Sequence, residues 1–376
     1  MSSQPDILIV GGGPAGAAAA IHLARSGRIV TLLEQSTAAH HKVCGDFLSP
    51  EAVEYLNRLG LDPHHLGALP IHTVRLAAQR EIAACDLPFL AFSLTRRSLD
   101  EALLSTAAQS GARVQRGYRV DSFSKDPRGF LAHLSTGDCL PFPAAFLATG
   151  KQDIAGHRRP AGLQNDLVAF KMYFHLSPAQ EQRLNGSVEL YLFPGGYAGL
   201  QLVEGHQANL CLLVTREMLR SCDNHWPAVL GHLHASSDLL AQRLDSAIPL
   251  LSKPLALSSI PYGMMRRAAE PEFWPLGDQV AVIPSFAGDG ISIALHSAHL
   301  AADFCMRGRT SADFVYQMRH ELQSSLALAT TLSRLMVAAP ALAHAARIWP
   351  ALLGLIATRT RIPTCAWNVG VTLARS

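Results

Sequence analysis

Short apolar runs and longer helical stretches take turns along this chain from its start. Ile7-Leu8-Ile9-Val10 is a brief run without a polar break. It reads as a parallel strand covered on both faces, where no alternation is needed. Gly11-Gly12-Gly13-Pro14-Ala15-Gly16 follows at once, then Ala17 to Ala24, a strong helix former. Arg28 to Glu34 is a second apolar strand ending in an acid. Ser49 is placed to cap a helix with Pro50 at its first position, ending at Gly60. Leu94-Thr95-Arg96-Arg97 is a strand end entering a helix that continues through Gln109 and stops at Gly111. Ala112-Arg113-Val114 opens another strand, and Ala144 to Lys151 is a strand running into a glycine turn.

The middle of the chain has a different rhythm. Leu167 to Phe174, Val188 to Phe193, Tyr197 to Val203 and Asn209 to Val214 alternate or run apolar, with glycine-bearing turns between several of them. This predicts an antiparallel sheet of its own. Val280 to Ile283 returns to a strand pattern after Gly277-Asp278. The loop Pro284 to Ser292 then leads into a helix over Ile293–Asp303. Leu335 to Ala357 is apolar for 23 residues, long enough to cross ~30 Å of hydrocarbon. Pro340, His344, Arg347 and Pro350 interrupt it. The expectation is two short buried helices, Thr330–Ala339 and Ala341–Ile348, and a third beginning near Pro350, with room for peripheral contact with a membrane.

Composition narrows the class. The chain has 376 residues, 49% hydrophobic and 16% charged. That is apolar enough to exclude disorder as the dominant state. The net charge of +3 is too balanced for a dedicated nucleic-acid binder. Seven cysteines without a CxxC fit no zinc spacing. They read as free thiols of a reducing, cytoplasmic compartment. No metal is expected, although His40, His41 and Cys44 lie close together.

Strand, GxGxxG, helix, strand, acid is the order of a Rossmann-like dinucleotide site. Gly11 allows the tight turn, Gly13 lets backbone approach a pyrophosphate, and Gly16 lets the helix pack on the sheet. The helix start at Pro14 and Ala15 offers N–H groups and a positive dipole end to phosphate. Glu34 is placed to accept from ribose hydroxyls and would repel a 2′-phosphate; Gln35 follows it. The motif leaves FAD and NAD open, its N-terminal position favouring FAD. Taken singly, Gly288 and Gly290 are ordinary turn glycines, Asp278 is a cap, Arg96 is a solvated helix-start arginine and Cys44 is a small buried hydrophobe.

Taken together and in order, four landmarks are more specific. They are GxGxxG with Glu34, Arg-x-x-Leu-Asp at Arg96 to Asp100, Gly277-Asp278, and Pro284…Gly288-x-Gly290 before a helix. Over roughly residues 5–325 the chain resembles the flavoprotein superfamily of p-hydroxybenzoate-hydroxylase-type (group A) monooxygenases, geranylgeranyl reductases and flavin-dependent halogenases. The resemblance implies an α/β fold: a glutathione-reductase-like FAD-binding domain with an inserted antiparallel substrate sheet and a C-terminal helical segment. The FAD-binding domain would take residues 1–72, 97–155 and 272–325. The substrate domain would take 73–96 and 156–271, and a helical cap 326–376.

It also implies roles. Gly11, Gly13, Pro14, Ala15, Gly16, Glu34 and Gln35 would hold the ADP half of FAD, and Arg96 the phosphate or ribose region. Asp278 would bind the ribityl chain. Gly288, Asp289, Gly290 and Ile291 would run along the isoalloxazine, where fixed N–H dipoles stabilise negative charge on reduced flavin. Lys42-Val43-Cys44-Gly45 resembles the Cys-Gly element of geranylgeranyl reductases, with Cys44 and Gly45 beside the ring and Cys44 as a proton donor. A thiol, mostly protonated at neutral pH, suits that task. Phe193 to Ala198 resembles the same enzymes' Phe-Pro…Gly-Tyr-Ala strand pair. Phe193, Tyr197, Pro284 and Phe286 are the expected substrate-pocket residues.

Two departures point away from relatives. The hydroxylases' Asp-Gly pair is replaced by Ala148-Thr149-Gly150-Lys151, and the halogenases' Trp-x-Trp-x-Ile-Pro is missing. The expected reaction is geranylgeranyl-reductase-like hydride transfer at flavin N5, acting on an apolar isoprenoid, quinone, polyketide or aromatic small molecule. NADPH or NADH stands open as donor. The alternatives are a monooxygenase working through a C4a-hydroperoxide and a flavin electron carrier without turnover.

Overall fold

A computed structural model describes residues 7–127, 129–338, 351–363 and 366. The chain begins with β1 (Ile7–Val10), α1 (Pro14–Arg25), β2 (Val30–Glu34), β3 (Phe47–Leu48) and α2 (Pro50–Leu59). Next come β4 (Leu69–Ala77), β5 (Glu81–Ser93), α3 (Arg96–Gln109), β6 (Arg113–Arg116), β7 (Val120–Asp126), β8 (Gly129–Leu134), β9 (Cys139–Phe142) and β10 (Ala145–Leu147). The middle holds β11 (Leu167–His175), α4 (Pro178–Leu184), β12 (Ser187–Phe193), β13 (Gly196–Val203), β14 (Gln207–Thr215), α5 (Arg216–Ser221), α6 (Trp226–Ser236) and α7 (Asp238–Arg243). It closes with β15 (Ile248–Pro249), β16 (Leu255–Ser258), β17 (Met264–Met265), β18 (Phe273–Pro275), β19 (Ala281–Val282), α8 (Gly290–Met306), α9 (Ser311–Ala338) and α10 (Ala351–Arg359).

Two sheets organise these elements. The first is parallel, in the order β18-β10-β1-β2-β6. β1 and β2 are buried along their whole length, as their unbroken apolar runs require. The alanines of α1 let it lie close to both the sheet and α8. Pro14 occupies the first turn of α1, where its missing N–H costs no helical bond. The second sheet is largely antiparallel, in the order β15-β11-β14-β13-β12-β4-β5-β3, with β16 on the edge of β11. β12 and β4 pair in parallel, joining residues far apart in sequence. A three-stranded meander, β7-β8-β9, sits between β6 and β10; the sequence patterns did not single it out.

The caps act as their residue types dictate. Ser49 accepts from the Ala52 N–H at 3.4 Å, and Gly60 closes α2 in the left-handed region. Thr95 accepts from the Ser98 N–H at 3.3 Å at the start of α3. One expectation needs correcting. Thr330 does not begin a short helix; it lies inside α9, which runs unbroken from Ser311 to Ala338. Its buried residues, from Phe314 through Leu322 and Ala329 to Ser333, keep one continuous helical stripe, so nothing breaks the helix near residue 326. The expected helix Ala341–Ile348 lies outside the described residues. Among the described residues no helix is long and apolar enough to cross a membrane.

Candidate flavin site

A cavity of about 650 Å³ opens between the two sheets. One end is built by the parallel sheet. Gly11, at φ +105°, turns the chain out of β1, and a Cβ there would lie 2.3 Å from the Ala148 carbonyl oxygen. Gly16 packs its backbone on Gly11, where a Cβ would come within 1.9 Å of the Gly11 oxygen. Gly13 precedes α1 without a side-chain cap, so the first-turn N–H groups stay available at the cavity's edge.

Glu34 closes this end. Its Oε2 accepts from the Gly12 N–H at 2.7 Å and its Oε1 from the Ser36 N–H at 2.9 Å. Each oxygen keeps acceptor capacity for a ribose hydroxyl. Arg96 lies over the glycine turn, its Nη2 3.2 Å from where a Gly13 Cβ would stand. The arginine is a fork held by Asp100, at 2.7 and 2.9 Å, and Lys42 binds the same carboxylate at 2.9 Å. Burial works against the Arg96 charge, but Asp100 more than offsets it. Burial likewise opposes ionisation of Asp100, yet Arg96 and then Lys42 hold it below the usual carboxylate range. Asp100 and Lys42 are thus the positioning groups behind Arg96. Only the Arg-x-x-Leu-Asp spacing hinted at Asp100.

The cavity brings together Gly11, Gly13, Pro14, Ala15, Glu34, Gln35, Cys44, Gly45, Arg96, Asp278, Gly288, Gly290 and Ile291. Gly16 stands behind it as a packing glycine. Asp289 belongs to the same loop, but its side chain is buried on the far side, next to Ser292. The pocket expectations need the larger correction. Phe193 pairs with Gly196 and Leu192 with Tyr197, so strand alternation sends Phe193 to the opposite face. There it packs in a core with Tyr191 and Val229. Tyr197 and Phe286 pack together in another core, behind the cavity-lining Tyr262. Pro284 does not line the cavity either; its neighbours Ile283 and Ser285 do. The wall is instead made by Leu255, Ala256, Leu257, Tyr262, Val282 and Ile283.

A polar network under the Cys44 loop is absent from every sequence pattern. Asp46 is fully buried and left-handed at φ +59°. Its Oδ2 accepts from Lys171 Nζ, from Tyr173 Oη at 2.7 Å and from Asn209 Nδ2 at 3.1 Å. Gln201 and Asn209 also donate to the Gly45 carbonyl, each at 3.0 Å. Lys171 is itself fully buried. Strands β11, β13 and β14 thereby hold the loop that presents Cys44 to the cavity. The four donors alternate with apolar residues along their strands, so each looks like an ordinary solvent-facing position until the register is known.

The residues present fit a flavin dinucleotide. The glycine turn is a cradle that a side chain would fill, Glu34 suits a ribose, and the cations Arg96 and Lys42 suit a diphosphate. The fold and site define an FAD-dependent oxidoreductase with the group A flavoprotein fold. Residues 4–138 match the family model described as an FAD binding domain, and FAD is the cofactor. Over 325 residues the chain is 26% identical to menaquinone reductase of Mycolicibacterium smegmatis, covering 82% of this chain and 78% of that protein. The flavin-dependent brominase Bmp2 shares the fold at a TM-score of 0.77 and 15% identity, covering 95% of this chain and 93% of that one. The halogenase PltM, solved in complex with phloroglucinol and FAD, does so at 0.72 and 17%, covering 89% and 77%.

Proposed function

We propose that this protein is a reductase passing hydride equivalents from a nicotinamide to an apolar quinone- or isoprenoid-like molecule. The observation that carries this reading is the apolar wall, from Leu255 to Leu257 with Tyr262, Val282 and Ile283, within the cavity that also holds Glu34 and Cys44. The similarity to a menaquinone reductase across four-fifths of the chain supports the same direction. Bound FAD supplies the two-electron chemistry.

The chain's own residues bind, orient and exclude water. The Gly11–Gly13 turn and Arg96 hold the diphosphate, and Glu34 accepts from the ribose. Asp278 accepts from the ribityl hydroxyls. Gly288, Gly290 and Ile291 bring backbone along the ring. The apolar wall keeps the reacting face dry. The Cys44 thiol, held by a loop anchored through Asp46, carries a proton to the substrate.

The test is product mass after incubation with NADPH or NADH and a menaquinone with an unsaturated isoprenoid chain. Gain of two hydrogens, on ring or chain, supports the reading. Gain of an oxygen atom refutes it in favour of oxygen transfer.

A further inference from the structure

The C-terminal segment reaches back to the flavin loop. After α10 the chain buries Thr360, Arg361 and Ile362 in succession. Arg361 Nε donates to both carboxylate oxygens of Glu51 at 3.1 Å, and Nη2 donates to Oε2 as well. The guanidinium stacks 3.9 Å over the Phe89 ring. Ser325 of α9 donates to the Arg361 carbonyl at 2.7 Å. One residue of the C-terminal segment therefore joins α2, β5 and α9.

It also meets Asp289. Arg361 Nη2 lies 3.9 Å from Asp289 Oδ1. Asp289 is 1% exposed and stands at the start of α8, without capping a backbone N–H through its side chain. Its Oδ1 accepts from Ser292 Oγ at 3.4 Å, while Oδ2 is buried without a hydrogen-bond partner. Its neighbours Gly288, Gly290 and Ile291 line the cavity. Asp289 thus sets a carboxylate beside the backbone of the cavity-lining Gly288, Gly290 and Ile291. A negative charge there opposes the positive end of α8. Burial pushes this carboxyl up to about 7, while Arg361 pulls it down. The cluster holds one cation against two carboxylates.

We propose that Arg361 is a positioning residue for the flavin loop, fixing Glu51 and Asp289 behind it and setting the charge that the reduced flavin meets there. This rests on the reading that Gly288 to Ile291 face the isoalloxazine. A cation near that loop favours the anionic reduced ring, and an unscreened carboxylate disfavours it.

The test is the midpoint potential of bound flavin, measured with FAD affinity at a pH well above 7, where Asp289 is charged. R361M lowers the potential by at least a tenfold shift in the reduced-to-oxidised ratio, about 30 mV for two electrons. D289N raises it. R361K stays near the wild-type potential, because it keeps the charge, while binding FAD more weakly for want of the fork and the stacking. Unchanged potentials in both R361M and D289N, or shifts of one sign, overturn the proposal. If R361M does not fold, D289N decides alone: a raised potential supports the proposal and an unchanged one overturns it. G290L separates the underlying reading, since a side chain there fills open space at the cavity. FAD binding by G290L with unchanged spectrum and potential refutes the flavin-loop assignment itself.

Discussion

Replacing Lys171 with methionine removes one charge and little volume from a fully buried site. The ammonium binds Asp46 and lies 4.6 Å from the centroid of the Tyr173 ring. Removing one partner of a buried pair costs about 3–5 kcal/mol, because the other charge is left uncompensated. Here Tyr173 and Asn209 still donate to Asp46, so the loss falls near the lower figure. About 3 kcal/mol is a factor of roughly 150 in the equilibrium constant. The perturbation also reaches the cofactor, because Asp46 lines the cavity two residues from Cys44. K171M should melt several degrees below wild type and retain less FAD. K171M/D46N should recover part of the loss, since asparagine tolerates the left-handed conformation and leaves no carboxylate. Thermal melting with flavin content per chain measures both. A K171M protein that melts with wild type and carries full flavin would refute the reasoning, and so would a double variant no better than the single.

Other predictions concern the turn, the thiol and acid stability. G13L drives a side chain into the space between the glycine turn and Arg96, and should purify colourless; a yellow protein with full FAD content contradicts the site. C44S should keep its flavin and lose about 100-fold in turnover, within the range for general acids; unchanged turnover returns Cys44 to a packing role. His22 is held neutral by burial, with His299 the next cause, its ring centroid 5.1 Å away; its pKa falls from 6.5 to about 3. Below 6.5 the unfolded chain gains a proton the folded one refuses, so stability is full above that pH and declines toward about 3. At about 1.4 kcal/mol per pH unit the decline reaches up to roughly 5 kcal/mol. His22→Gln should flatten the acid side of a melting-temperature profile, and an identical slope would disprove the assignment.

How much of this was written in the sequence depends on range. The ADP end was readable because its parts are local: Gly11 to Gly16 and Glu34 belong to one strand-helix-strand unit with fixed spacing. Arg96, Asp278 and the Gly288 loop became readable only as an ordered set. Phe193 and Tyr197 do not line the cavity: period-2 alternation puts them on opposite faces of the sheet, and each is packed in a core there, a depth that the pattern alone does not give. Asp46 and Lys171 meet across 125 positions through a sheet register that no local pattern encodes. Arg361 and Glu51 meet across 310. The start of the helix expected at Thr330 was misread, because its turns continue without a break from Ser311 to Ala338.

The central claim is that electrons leave this protein as hydride equivalents to an apolar acceptor. Its most direct test is stopped-flow reoxidation of the reduced flavoprotein by an unsaturated menaquinone without oxygen. The account predicts full return of the oxidised flavin spectrum under strict anaerobiosis, with one acceptor reduced per flavin. A flavin that stays reduced until oxygen is admitted, and then yields an oxygenated product, would contradict it.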